Sequence, residues 1–201
     1  MNGLERLLLE KKLRISFLNK SVQTLLEDFH VDDALGINLE LGSGHGHWLT
    51  SYSQLNQESY FLGVDLINKR VEKANQKVSK RNLKNISFLK ADAFELLESL
   101  PSDISIQNCF IMYPDPWPKK RHHKRRLLNE RFLELLATKC KKSSKLFFMT
   151  DHDDYFVSSQ NMILNSNSWS LKEEKWPHAE KSYFQDLLPQ NNFFVADYQI
   201  L

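Results

Sequence analysis

Apolar side chains at Leu4, Leu7, Leu8, Leu13, Ile15 and Leu18 recur near every 3.6 residues, which predicts an amphipathic helix at the amino end. Gly36 closes that region, and the pattern then changes to short apolar runs separated by stretches of helical period. Ile37 to Leu41 reads as a strand, followed by a Gly-rich turn, a helix from His47 to Gln57 and a second strand from Tyr60 to Asp65. Asn68 is expected to cap a helix running to about Asn82; Ile86 to Leu89 is a third strand and Ala93 to Leu100 a short helix. A fourth strand from Ile104 to Met112 leads into a long polar loop, Tyr113 to Arg126. A helix from Asn129 to Cys140, a fifth strand from Lys145 to Thr150 and a helix near Tyr155 to Leu164 follow, and the polar run Ser158 to Ser168 reads as helix end and loop. Two extended segments, Ser168 to Lys172 and Phe193 to Ile200, complete the chain. Strands separated by helices of this length imply parallel neighbours with right-handed crossovers, hence a doubly wound, mostly parallel α/β sheet with the late pair as an antiparallel C-terminal edge.

Composition narrows the picture without changing it. At 201 residues and 41% hydrophobic, the chain suffices for one sizeable core, so a single domain over 1–201 is expected, with 1–36 as a helical extension. Lys and Arg number 27 against 25 Asp and Glu, so attraction to a polyanion must come from uneven placement of charge rather than from the net +2. Cys109 and Cys140 are too few for a disulfide framework and lack metal-ligand spacing, which fits a reducing compartment and no metal. Charged residues interrupt the first 18 positions, so no signal peptide is expected there, and no apolar run is long enough for a membrane span. A soluble cytoplasmic protein is expected.

The turn after the first strand carries Glu40-Leu41-Gly42-Ser43-Gly44-His45-Gly46. Glycines there permit a tight turn and close approach of backbone to a nucleoside, although an ordinary strand-to-helix turn has the same composition. A dinucleotide fingerprint beginning at Gly42 requires glycine at 47, where this chain has His47, so a dehydrogenase is disfavoured. The spacing with Gly42, Gly44 and Gly46 instead resembles motif I of Rossmann-like methyltransferases. Acids close the neighbouring strands: Glu40 would lie near a cationic methionine moiety, Asp65 could accept both ribose hydroxyls, and Asp92 could meet an adenine amino group. Each acid alone is more often a helix cap or a solvated loop residue; three at successive strand ends shift the balance toward a ligand.

Beyond the fourth strand, Tyr113-Pro114-Asp115-Pro116-Trp117-Pro118 is stiffened by three prolines, which suits a loop that must hold Asp115 and Trp117 in fixed directions. Trp117 could stack on a base or simply pack the loop. The run Lys119 to Arg126 follows, and its cations could neutralise phosphates of a polynucleotide; a solvated surface is the alternative. His122 and His123 are adjacent, which is poor spacing for a shared metal on a helix face, so they are read as RNA-facing or exposed.

Pro114-Asp115-Pro116-Trp117 with Lys119 and Arg121-His122-His123-Lys124-Arg125-Arg126 resembles the signature of bacterial tRNA (guanine-N7)-methyltransferases, over about Ile37 to Asp151 and more weakly beyond. The resemblance implies a class I S-adenosylmethionine-dependent methyltransferase that modifies a variable-loop guanosine of tRNA. It assigns Glu40, Asp65, Asp92 and Asp115 to the cofactor, Asp115 also to catalysis, Lys119 and Asp151 to substrate, and Arg121 to Arg126 to RNA. The family's C-terminal substrate motif, Thr-x-Phe-Glu with a basic residue and glycine after it, corresponds to Ser182-Tyr183-Phe184-Gln185, where an amide replaces the carboxylate and neither the basic residue nor the glycine follows. A carboxylate can accept two guanine edge protons; Gln185 offers one acceptor oxygen. That departure keeps open a non-catalytic tRNA-binding protein on the same fold, while a small-molecule methyltransferase gives no reason for the basic run. Composition does not decide between a monomer and a homodimer.

Overall fold

The computed structural model describes residues 3–29, 36–178 and 192–199. Seven strands, β1 (Ile37–Leu41), β2 (Tyr60–Asp65), β3 (Ile86–Lys90), β4 (Ile106–Met112), β5 (Cys140–Thr150), β6 (Trp169–Lys172) and β7 (Asn192–Tyr198), form one sheet in the order β3-β2-β1-β4-β5-β7-β6. The first five pair in parallel; β7 runs antiparallel to both β5 and β6, so only β7 is reversed. The helices are α1 (Gly3–Phe29), α2 (His47–Leu55), α3 (Asn68–Lys80), α4 (Ala93–Ser99), α5 (Glu130–Ala137) and α6 (Asp153–Leu164), and a short 3-10 turn covers Lys120–Arg125. No helix among the described residues is long and apolar enough to cross a membrane.

Alternate strand residues feed two apolar layers. Leu39, Leu41, Leu62, Val64, Ile111, Leu146 and Phe148 pack with Leu18 and Val22 of α1, Leu96 and Leu97 of α4 and Phe132 and Leu136 of α5. Phe61, Phe88, Phe110, Met112 and Phe147 pack with Trp48 and Leu49 of α2 and Val71 and Ala74 of α3. This two-faced burial is why the central strands read as continuous apolar runs. Glu40 sits in the second layer, in register with Gly63 on one side and Phe110 on the other. Only α1's second half is amphipathic in effect: Leu18 and Val22 are buried, whereas Leu4, Leu7, Leu8 and Leu13 are exposed.

Polar side chains settle several boundaries differently from the apolar pattern. Asn68 is not the cap of α3; Ile67 holds that position, and the Asp65 carboxylate accepts the Ile67 N–H at 2.8 Å, so the turn is closed by the strand's last residue. Asn129 and His152 are the N-caps of α5 and α6, accepting from Phe132 and Tyr155. Strand β5 starts five residues earlier than its apolar run because Cys140 already pairs with Ile106; the intervening residues bulge, and the Ser144 hydroxyl donates to the Ile106 carbonyl at 2.6 Å. At the β3 edge, Asn75 of α3 acts as a one-residue strand partner: its side chain donates to the Phe88 carbonyl at 2.8 Å and accepts the Phe88 N–H at 3.1 Å.

Candidate active site

Five acids lie one strand apart along the carboxyl edge of the sheet: Asp92 beyond β3, Asp65 ending β2, Glu40 near the end of β1, Asp115 beyond β4 and Asp151 beyond β5. Ligands of open α/β sheets bind in that crevice. Because β1 pairs with β4, Leu41 lies beside Ile111, so the glycine loop and the loop bearing Asp115 leave the sheet as neighbours.

The glycine loop is held by backbone and by Asp65. The N–H groups of Gly42 and Ser43 both donate to the Val64 carbonyl at 2.9 Å, and Gly44 N–H donates to Asp65 Oδ2 at 3.0 Å. Gly42 and Gly44 have positive φ, and a Cβ at either would meet nothing within 4 Å, so this stretch of backbone is bare toward open space. Gly46 differs. A Cβ there would come within 2.5 Å of Phe88 and 2.8 Å of Ala74, so its absent side chain lets α2 pack on β3 and α3 rather than admitting a ligand. Gly46→Ala is therefore expected to destabilise the fold by roughly 2–4 kcal/mol through overpacking and left-handed strain. Gly44→Ala should cost only about 1 kcal/mol of backbone strain; denaturant titration of the two variants measures the difference.

Glu40 is 4% exposed and its Oε2 has no hydrogen-bond partner among the described residues. Burial, and secondarily the Asp65 carboxylate, push its pKa up to about 8. A buried carboxyl lacking a partner is unfavourable for the protein alone and suits a group that supplies a cation or donor. Asp65 is buried as well, and each oxygen already accepts one backbone N–H, with Arg70 at 3.5 Å from Oδ2. Oδ2 is thus met by two donors, Gly44 N–H and Arg70, while Oδ1 retains a second lone pair. Asp92 serves as the N-cap of α4, its Oδ1 accepting from Phe94 and Glu95 at 2.9 and 3.2 Å; the cap and a ligand contact through Oδ2 are compatible.

The Asp115 loop is anchored at both ends. Tyr113 N–H donates to the Met149 carbonyl at 2.9 Å, and both Tyr113 and Trp117 adopt positive φ, 50° and 45°. Between them Asp115 is exposed. The Trp117 ring is packed within the loop itself, under the Arg125 guanidinium at 4.9 Å and edge-on to His122 at 5.8 Å. Lys119, Lys120, Arg121, Lys124 and Arg125 are exposed on the 3-10 turn and its start, while His122 and His123 are half-buried.

Arg126 departs from the expected RNA-contact set. It is 4% exposed, and its three nitrogens are committed separately: Nε to the Pro116 carbonyl at 2.8 Å, Nη1 to Ser158 Oγ at 2.9 Å and Nη2 to Asp154 Oδ2 at 2.6 Å. Its guanidinium also lies 4.6 Å over the Tyr155 ring. The carbonyl it grips is that of the residue after Asp115, and Asp154, Tyr155 and Ser158 belong to α6, which begins two residues after Asp151. Arg126 thus ties the Asp115 loop to the first turns of α6, and its guanidinium is buried in doing so. Asp154, Tyr155 and Ser158 carry no signal of this role in sequence, since Asp154 is separated from Arg126 by 28 positions and Ser158 by 32. Lys119, beyond β4, and Asp151, beyond β5, are both exposed. Ser182, Tyr183, Phe184 and Gln185 lie outside the described residues.

The sheet order with its one reversed strand, and the Glu40 to Gly46 loop at the end of β1, are those of a Rossmann-like class I methyltransferase. An rRNA methylase from Streptococcus thermophilus shares this fold with a TM-score of 0.55, at 12% identity over 89% of this chain and 94% of that one. The family described as "Putative methyltransferase" matches residues 36–186. A tRNA (guanine-N(7)-)-methyltransferase of Wolbachia pipientis wMel is 38% identical over 137 residues, covering 68% of this chain and 61% of the relative. The protein of that name from Prochlorococcus marinus (strain MIT 9215) is 30% identical over 153 residues, covering 75% and 73%. The chain belongs to the tRNA (guanine-N7-)-methyltransferase family. It spans about half to three-quarters of the length of the curated relatives it matches.

Proposed function

We propose that the chain transfers the methyl group of S-adenosylmethionine to N7 of a variable-loop guanosine in tRNA, acting as one methyltransferase domain in the cytoplasm. The observation that carries this reading is the adjacency of the bare glycine loop to a stiff loop that offers an exposed Asp115 and continues directly into five exposed cations.

The residues fit the cofactor. Glu40, with its unpartnered Oε2, would face the cationic methionine end, the bare Gly42 and Gly44 backbone would accept the nucleoside, and Asp65 and Asp92 retain acceptor capacity for ribose and adenine. When bound, S-adenosylmethionine supplies an electrophilic methyl group on a sulfonium. N7 of guanine has a free in-plane lone pair, so the N–C bond forms as the C–S bond breaks and no proton has to leave; no general base is required. The protein's work is alignment, which can supply several kcal/mol. Positive charge moves into the purine, and the fixed Asp115 carboxylate stabilises it once RNA covers the site and excludes water.

Glu40 gives the cofactor site a pH signature. Its pKa of about 8 lies above its ordinary 4.5, so the folded protein keeps a proton that the unfolded chain releases. That stabilisation is full below pH 4.5 and is lost as pH rises to 8. Glu40→Gln should therefore gain stability over wild type as pH rises from 5 to 8, on the order of a few kcal/mol, while weakening cofactor binding. Denaturant melts at pH 5 and 8 with cofactor titrations test both halves. The proposed acceptor atom is tested with a tRNA transcript carrying 7-deazaguanosine: labelled methyl should enter the ordinary transcript and not this one, and equal labelling would reject N7.

A further inference from the structure

The chain's cations are concentrated in two blocks, and the site uses only one of them. Residues 119–126 hold six Lys and Arg side chains and no acid; residues 69–84 hold seven and a single acid, Glu72. The remaining positions have 14 cations against 24 acids, a net −10 in a chain whose total is +2.

The second block is not spread around α3. At 100° per residue, Lys69, Arg70, Lys73, Lys77, Lys80 and Arg81 fall within about 120° of the helix circumference. Val71 and Ala74, which pack on the sheet, lie outside this arc, as does Glu72. Lys84 continues the block just beyond the helix. The arrangement works against the helix that carries it. Lys69 and Lys73, Lys73 and Lys77, and Lys77 and Arg81 are like charges four residues apart, and the first turn has cations but no acid. Among the described residues Arg70 makes the block's one ion pair, at 3.5 Å from Asp65; Lys69, Lys73, Lys80 and Lys84 are exposed without an ion pair.

The field of this face reaches the site. Lys77 donates to the His45 carbonyl inside the glycine loop and lies 3.2 Å from His47 Nε2. Burial lowers the pKa of Lys77, with Arg81 and Lys73 adding to it; His45 is lowered by burial and then by Lys73, Lys77 and Arg70. The block starts at the carboxyl edge, immediately after Asp65, so the glycine loop lies between it and the basic turn beyond β4.

We propose that the basic face of α3, centred on Lys69, Lys73, Lys80 and Lys84, is a second contact surface for the phosphate backbone of the tRNA substrate. Eleven residues of helix separate Lys69 from Lys80, about 16 Å. That span is too long for one small anion and suits a run of backbone phosphates. A tRNA held on both blocks lies across the glycine loop and helps to close the cofactor crevice. Such contacts position the RNA without reading its sequence. This inference rests on the reading of the chain as a tRNA methyltransferase.

The test is the salt dependence of tRNA binding by the full chain carrying Lys73→Glu, Lys80→Glu and Lys84→Glu together. Affinity near 0.1 M salt should weaken at least about 10-fold, and the slope of log K against log salt should flatten by about 2. Cofactor affinity should change less than tRNA affinity, and the three Lys→Arg changes should retain both tRNA affinity and slope. Should the reversed triple fail to fold, Lys→Gln at the same positions relieves the repulsion along α3 and gives the same comparison. Wild-type affinity and slope in the Glu or Gln triple overturn the proposal. Wild-type protein that binds tRNA but transfers no methyl refutes the activity and leaves the slope comparison decisive for α3; a wild type with no salt-dependent tRNA binding overturns both.

Discussion

Asp115→Ala is expected to lower turnover by about 100- to 1,000-fold, the range for removing one fixed charge-stabilising group from a covered site, while tRNA and cofactor affinities change little. Asp115 is exposed at the tip of its loop and no described group needs its carboxylate to hold the fold, so the substitution should leave stability near wild type. In the proposed reaction methyl transfer would raise positive charge on the purine, and a carboxylate held by flanking prolines would meet that charge without reorganising. Asp115→Asn separates charge from shape, because it keeps the size and loses the charge. Single-turnover rates for both variants, with tRNA saturating, are the measurement; wild-type rates in either would remove Asp115 from catalysis.

Arg126→Gln is expected to lower turnover by about 10- to 100-fold, the scale of a misplaced site group, without changing the salt slope of tRNA binding. Its guanidinium holds Pro116, Ser158 and Asp154 with three different nitrogens, and a lysine has only one nitrogen to offer. Arg126→Lys should therefore fail to rescue. Asp154→Asn should move turnover in the same direction by less, since the Pro116 and Ser158 bonds persist. The Arg126 hydrogen bond holds the Asp154 carboxyl below the usual carboxylate range, so the tie is lost only as pH falls through that depressed value. The slope discriminates the two roles of the basic run. Neutralising Arg121, Lys124 and Arg125 should flatten it by about 2, whereas an Arg126 variant that flattens it would return Arg126 to the RNA surface.

How much of this was legible depends on whether a residue's role is local. Strands β1, β2 and β4 are buried on both faces, so their apolar runs stand out, and the acids that end β2 and follow β3 could be placed with them. The first half of β5 could not, because its pairing passes through a bulge with exposed Lys142 and Ser143 in it and no alternation survives. Asp92 carries both meanings expected of an acid there, cap and candidate ligand. Arg126 looks like its neighbours in a run of cations; what buries it lies on α6, far along the chain. Gly46 reads as part of a ligand loop until Phe88 is seen beneath it. The α3 cations are scattered over residues 69–84 and form a surface only once the helix phase, and the scarcity of acidic partners among the described residues, are known.

Methyl transfer to guanine N7 is tested by incubating the protein with labelled S-adenosylmethionine and unmodified bulk tRNA, then digesting the RNA and resolving its nucleosides. Label is expected in 7-methylguanosine; label confined to another nucleoside, or none despite tight binding of cofactor and tRNA, would refute the proposed activity.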